Sequence, residues 1–285
     1  GSYKEAMQGC ELVYHTASPF TTTVKDPVKE LIEPAVNGTE NVLNTAKEVD
    51  SVKRVVVTSS CAAIYTDAID TVNAPGGKLT EDMWNTTASV DYQPYSYSKT
   101  LAEKEAWKMA DAQSKWDLVV VNPSAVFGPD LNAKWSTSES MSIMKQMGDG
   151  TLKMGAPRLG IGAVDVRDLA EAHFQAGFRP EAKGRHIISG HNTNFFEIAQ
   201  TLLPKYGEKY PLPKSVAPKW LLMLVGPFVN KAFTRGFIKK NVDVVWKADN
   251  SKSIKVLGVT YRPLKETMVD SFQMLIDEKI ISSKK

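Results

Sequence analysis

Tyr95 and Lys99 stand four residues apart in the run Tyr95-Ser96-Tyr97-Ser98-Lys99. On a helix that spacing places both on one face, one turn apart. An ammonium beside a phenol favours the phenolate, so the pair predicts a tyrosine pKa below its ordinary value of about 10. Such a tyrosine can exchange a proton near neutral pH as a general acid–base. Taken alone, the same two residues also suit an amphipathic helix with an exposed lysine. Tyr97 cannot stand in for Tyr95, because residues two apart on a helix face different ways.

The surrounding segments must position this pair. Tyr3 to Met7 reads as a short helix, and Leu12 to Ser18 as a buried strand ending in small residues. Pro27 to about Val49 carries helical periodicity through Val28, Leu31, Ile32, Ala35, Val42, Leu43 and Ala46. Arg54 to Ser60 holds three consecutive valines, which suit a strand covered on both faces. A helix from Tyr95 to about Ala112 and a strand from Trp116 to Pro123 follow, then Val164–Asp168 leads into a helix through Phe178. Arg185 to Gly190 reads as one more strand. Strands alternating with helices predict an α/β fold with a mainly parallel sheet. Ligands of such sheets bind outside the carboxyl ends of the strands. His15-Thr16-Ala17-Ser18, Thr58-Ser59-Ser60 and Asn122-Pro123-Ser124-Ala125 all lie at such ends.

The chain has 285 residues, 42% apolar and 24% charged, with a net charge of +3. That charge is too small to argue for nucleic acid or an anionic membrane. The longest apolar run, Trp220 to Val229, is about half of what a membrane span needs. Cys10 and Cys61 do not form a disulfide framework and fit a reducing, cytoplasmic setting. No leader-like segment is read at the N-terminus. His15 reads as a packed strand residue, and His173, His186 and His191 lack metal-ligand spacing. Met141, Ile143, Met144 and Met147 recur at helical spacing and could form helix core or an adaptable pocket wall.

Together these segments resemble the extended short-chain dehydrogenase/reductases, in the branch of dihydroflavonol reductases, cinnamoyl-CoA reductases and yeast-type aldehyde/ketone reductases. The matching pieces include Gln8-Gly9-Cys10, Val13 to Pro19, Arg54 to Ser60, Tyr95 to Lys104, Val121-Asn122-Pro123-Ser124, Phe127-Gly128-Pro129 and Asp165-Val166-Arg167-Asp168. The likeness is dense from about residue 3 to 190 and recurs at Asn250-Ser251-Lys252-Ser253 and Leu257-Gly258. It implies a Rossmann-type sheet with a smaller mixed C-terminal substrate lobe. The dinucleotide-binding part would be 1–130 with about 163–190, and the substrate lobe about 131–162 and 191–285. By position, Ser60, Tyr95 and Lys99 would form the family's catalytic triad, with Ser59 the rival for the serine role. Cofactor contacts would come from Thr16, Ala17, Ser18, Thr58, Tyr95, Lys99, Pro123, Ser124 and Val126. The expected cofactor is NADP(H) ahead of NAD(H).

One departure stands against the resemblance. Family members begin with a strand, a Gly-rich turn that cradles the pyrophosphate, and a helix. No Gly-x-x-Gly-x-x-Gly run occurs in this chain. By analogy it starts near the family's fourth strand, so roughly 70 residues of a longer protein are expected to precede it. The expected function is NAD(P)H-dependent reduction of an aldehyde or ketone. A nucleotide-sugar epimerase or dehydratase and a truncated non-enzymatic homologue are the alternatives. Trp220 to Phe237 favours an apolar or aromatic carbonyl substrate, and part of it could cap the site or pack into its own lobe. Neither nucleic acid nor membrane is expected as a partner, and the chain would be a monomer or homodimer.

Overall fold

The computed structural model describes residues 3–19, 24–136, 138–229 and 232–283. Helix α1 (Lys4–Met7) leads into strand β1 (Leu12–His15). A π-helical turn at Val28–Ile32 runs into α2 (Glu33–Glu48), then β2 (Arg54–Thr58), the short α3 (Ala68–Asn73), α4 (Pro94–Asp111) and β3 (Asp117–Pro123). β1, β2, β3 and β6 (Gly184–Ile188) form one parallel sheet in that order. The sequence reading of a mainly parallel α/β fold therefore holds.

The valine runs show why the sheet is covered on both faces. Successive side chains of a strand point to opposite faces. Val55 and Val57 of β2, with Leu118 and Val120 of β3, pack on Val42, Leu43 and Ala46 of α2 and Ala106 of α4. Val56, Val119 and Val121 pack the other way, on α6 (Val166–Phe178) through Leu169, Ala172 and Ala176. β1 pairs with β2 alone among the described strands.

A second sheet was not read from sequence. β4 (Ala125–Phe127) pairs parallel with β5 (Gly160–Asp165), and β5 pairs antiparallel with β7 (His191–Asn194). α5 (Glu139–Gly148), α7 (Phe195–Tyr206) and α10 (Leu264–Asp277) close over it. Their shared core includes Phe127, Met144, Met147, Leu202, Phe272 and Leu275. Met144 and Met147 are therefore core, whereas Met141 is only partly buried. The sheet's close approach to Trp246 needs a glycine: a Cβ on Gly162 would lie 2.3 Å from the indole. α8 (Lys219–Val229) and α9 (Arg235–Asn241) complete the chain's helices, with Pro227 inside α8. No described helix is long and apolar enough to cross a membrane.

Candidate active site

Helix α4 sets the reacting groups. Gln93 adopts a left-handed conformation (φ 55°) and Pro94 occupies the first helical position, where its missing N–H costs nothing. Tyr95 then sits in the first turn, Lys99 in the second and Glu103 in the third, along one face. The strand β2 delivers the serines. After Thr58 the backbone turns into a 3₁₀ turn, Cys61–Ala63, capped by Ser60, whose Oγ accepts the Ala62 N–H at 3.1 Å. That contact holds the Ser60 hydroxyl at the strand's carboxyl end, where it faces the Tyr95 phenol and opposes the rise in its pKa.

The two serines have separate partners. Ser59 is buried and donates to Glu103 Oε2 at 2.5 Å. Ser60 is half-buried and faces Tyr95. Lys99 is buried at 7% exposure, so it is not the exposed lysine of an amphipathic helix. Its Nζ lies 5.9 Å from the centroid of the Tyr95 ring.

The electrostatics correct one expectation. Burial pushes the Tyr95 phenol up to about 12, and the Ser60 hydrogen bond offsets only part of that. Burial also brings Lys99 down to about 8, against the opposing pull of Glu103. Desolvation outweighs the neighbouring-charge effect expected from the four-residue spacing.

A narrow cleft, of about 10 Å³, opens beside these groups, lined by His15, Ala17, Ser18, Thr58, Lys99 and Glu103 among others. Thr16 and Ala17 are exposed at the end of β1, and Ser18 is half-buried. Thr58 Oγ1 is engaged with His173 Nε2 at 2.7 Å. His173 Nδ1 lies 2.8 Å from the Leu169 carbonyl, which can only accept, so Nε2 is the nitrogen that accepts from Thr58. His15 is buried, with Nε2 3.4 Å from a Thr39 hydroxyl that itself donates to the Ala35 carbonyl. Pro123 is buried in β3; Ser124 and Val126 are half-buried beyond it. Val126 also borders a second cavity, of about 380 Å³, with Phe127, Leu131, Met141, Met144 and Val166. No group of three or more His, Cys, Asp or Glu could hold a metal among the described residues.

Sequence reasoning missed the groups behind the reacting ones. Glu103 Oε1 accepts from Arg185 Nε at 2.5 Å, and Oε2 from Asn122 Nδ2 at 2.8 Å. Asn122 Nδ2 also reaches the Ser60 carbonyl at 3.2 Å. Arg185 stacks 4.0 Å from the Trp84 ring centroid and donates to the carbonyls of Glu81 and Met83. The available signal was an acid one helical turn beyond Lys99.

The comparisons with known proteins agree with this fold. The NAD-binding family model described as male sterility protein matches residues 1–171. A cinnamoyl-CoA reductase of Medicago truncatula is 33% identical over 283 residues, covering 98% of this chain and 77% of that protein. An NADPH-dependent methylglyoxal reductase of Saccharomyces cerevisiae is 33% identical over 279 residues, 93% of this chain and 76% of that protein. The crystal structure of yeast methylglyoxal/isovaleraldehyde reductase complexed with NADPH superposes with a TM-score of 0.76 at 29% identity, covering 98% of this chain and 82% of that one. The chain belongs to the extended short-chain dehydrogenase/reductases, in the group that holds the dihydroflavonol, cinnamoyl-CoA and yeast methylglyoxal reductases.

Proposed function

We propose that this protein reduces an aldehyde or ketone to the alcohol, using NADPH, with Ser60, Tyr95 and Lys99 as the catalytic groups. The observation that carries the reading is the Ser60 hydroxyl set against the Tyr95 phenol, beside a buried Lys99, at the carboxyl ends of β1 and β2. The residues fit a nicotinamide cofactor. Ser124 Oγ is buried without a hydrogen-bond partner among the described residues, and Thr16 and Ala17 present free surface at the end of β1. Thr16, Ala17, Ser18 and Thr58 would hold the adenosine side, and Pro123, Ser124 and Val126 the nicotinamide side. Bound NADPH supplies a hydride to the carbonyl carbon.

The chain's own groups manage the oxygen. Ser60 donates a hydrogen bond to the carbonyl oxygen. Tyr95 gives up its proton to that oxygen as negative charge develops there. A phenol held near 12 stays protonated at neutral pH, which is the form an acid must have. Lys99 stabilises the phenolate that remains and reaches the cofactor's ribose. In the protein at its natural length, Tyr95→Phe should lower kcat by about 100-fold or more, the scale of general acid catalysis. Unchanged turnover of a saturating aldehyde would remove the triad.

The second cavity, on the smaller lobe, would supply the substrate wall. Its lining by Phe127, Leu131, Met141 and Met144 supports an apolar or aromatic carbonyl. Each added buried methylene contributes about 0.8 kcal/mol, roughly fourfold in kcat/KM. From acetaldehyde to hexanal, kcat/KM should rise, and a flat series would exclude an apolar wall.

A further inference from the structure

The outer face of α8 has no cover. Trp220, Leu224 and Phe228 recur one turn apart and are 69%, 57% and 85% exposed. Leu221, Val225 and Val229 form a second exposed row beside them. The inner face is satisfied: Leu222 and Met223 pack toward α9 on the cluster of Leu159, Ile238 and Val242, and Gly226 is buried. Two contiguous rows of large apolar side chains in water are unusual for a soluble surface and mark a contact site.

Charge indicates what the site contacts. Residues 209–242 contain seven lysines and arginines and no aspartate or glutamate, although Lys240 is paired with Asp67 at 3.2 Å. The whole-chain charge of +3 averages this away, which is why no membrane was expected from composition. Lys214, Arg235 and Lys239 are exposed. Others hold the helix pair together. Lys219 Nζ donates to the Lys239 and Val242 carbonyls, and Arg235 Nε to the Met223 carbonyl at 3.3 Å, so α8 and α9 present one braced surface. α8 spans 11 residues, about 16 Å, too short to cross a bilayer of roughly 30 Å but suited to lie in its surface. α8 carries one lysine of its own, so the cations come from its neighbours, and an exposed apolar row with Trp and Phe beside them suits the boundary of a lipid surface.

We propose that the outer face of α8, with the exposed Lys214, Arg235 and Lys239, docks the protein on an anionic lipid surface. The apolar rows enter the acyl boundary, and the cations meet the headgroup phosphates and carboxylates. This proposal does not depend on the reductase reading.

Co-sedimentation of the full chain with vesicles tests it, comparing pure phosphatidylcholine with vesicles holding about 30% phosphatidylserine. Wild-type protein should sediment with the anionic vesicles and much less with the neutral ones, and added salt should weaken the binding. The double variant Leu224→Glu/Phe228→Glu, whose side chains are exposed, should lose about tenfold or more in vesicle partition while keeping its circular dichroism spectrum. Phe178→Glu, equally exposed but on α6, should bind as wild type. No anionic-vesicle binding, equal binding to neutral vesicles, salt-insensitive binding, or an unaffected double variant would each overturn the proposal. So would a wild-type dimer that the double variant dissociates without any lipid binding, since a second copy would then be what covers the stripe.

Discussion

Lys99 sits where burial disfavours its charge. It binds its proton with a pKa near 8 in the fold, against 10.5 when unburied. Between those values the unfolded chain holds more protons, so stability rises with pH across that window. Below pH 8 the full cost remains, on the order of 3 kcal/mol. Lys99→Met removes it. The variant's melting temperature at pH 7 should exceed that of wild type, and the gain should shrink toward pH 10, as scanning calorimetry can follow. A lower melting temperature at pH 7 would mean that contacts of the ammonium outweigh its burial. The same titration bears on activity. Where the ammonium is needed, kcat/KM should fall as pH rises through about 8.

At the scale of elements, Glu103 is where α4 is fastened to the sheet. It joins α4 to Ser59 at the end of β2, Asn122 of β3 and Arg185 of β6. The neighbouring Ser60 takes its position from the same strand end, with Asn122 on its carbonyl. Glu103 is 1% exposed and Arg185 7%, so removing one partner leaves a charge buried and unpaired. Glu103→Ala should cost about 3–5 kcal/mol in urea unfolding. A loss below about 1 kcal/mol, the range of surface pairs, would show that Arg185 is satisfied by the Glu81 and Met83 carbonyls and Trp84. The spacing Tyr95, Lys99, Glu103 was legible as one helical face. That the third residue holds three strands was not, because those partners are 19 to 82 residues away in sequence.

For the whole molecule, cofactor affinity is the quantity that depends on parts far from the acid–base groups. The pyrophosphate of a dinucleotide is held chiefly by backbone N–H groups of a Gly-rich turn and a helix N-terminus. The 285 residues contain no Gly-x-x-Gly-x-x-Gly run. Calorimetry on this 285-residue chain should therefore show no NADPH binding in the micromolar range. Micromolar affinity would mean that other amides, such as those after β1, cradle the phosphates.

Local pattern determined much of this protein. Three valines in succession required a strand covered on both faces, and β2 is one, with Val55 and Val57 on the α2–α4 side and Val56 on the α6 side. The Tyr95/Lys99 spacing lay within one helix, so it was readable without knowing what the helix packs on. The second sheet escaped because β4 and β7 have only three and four residues and form through pairing with β5. Strands that short carry no period of their own. Tertiary structure alone separated the partners of the two serines, since Ser59 and Ser60 are chemically equal and differ only in what each faces in the fold. It also reversed the expected tyrosine shift: spacing reports a neighbouring charge, whereas desolvation depends on everything packed around the phenol. The face of α8 was decided the same way. Its sequence is apolar all round, and only the packing of α9 against one side shows which residues are left in water.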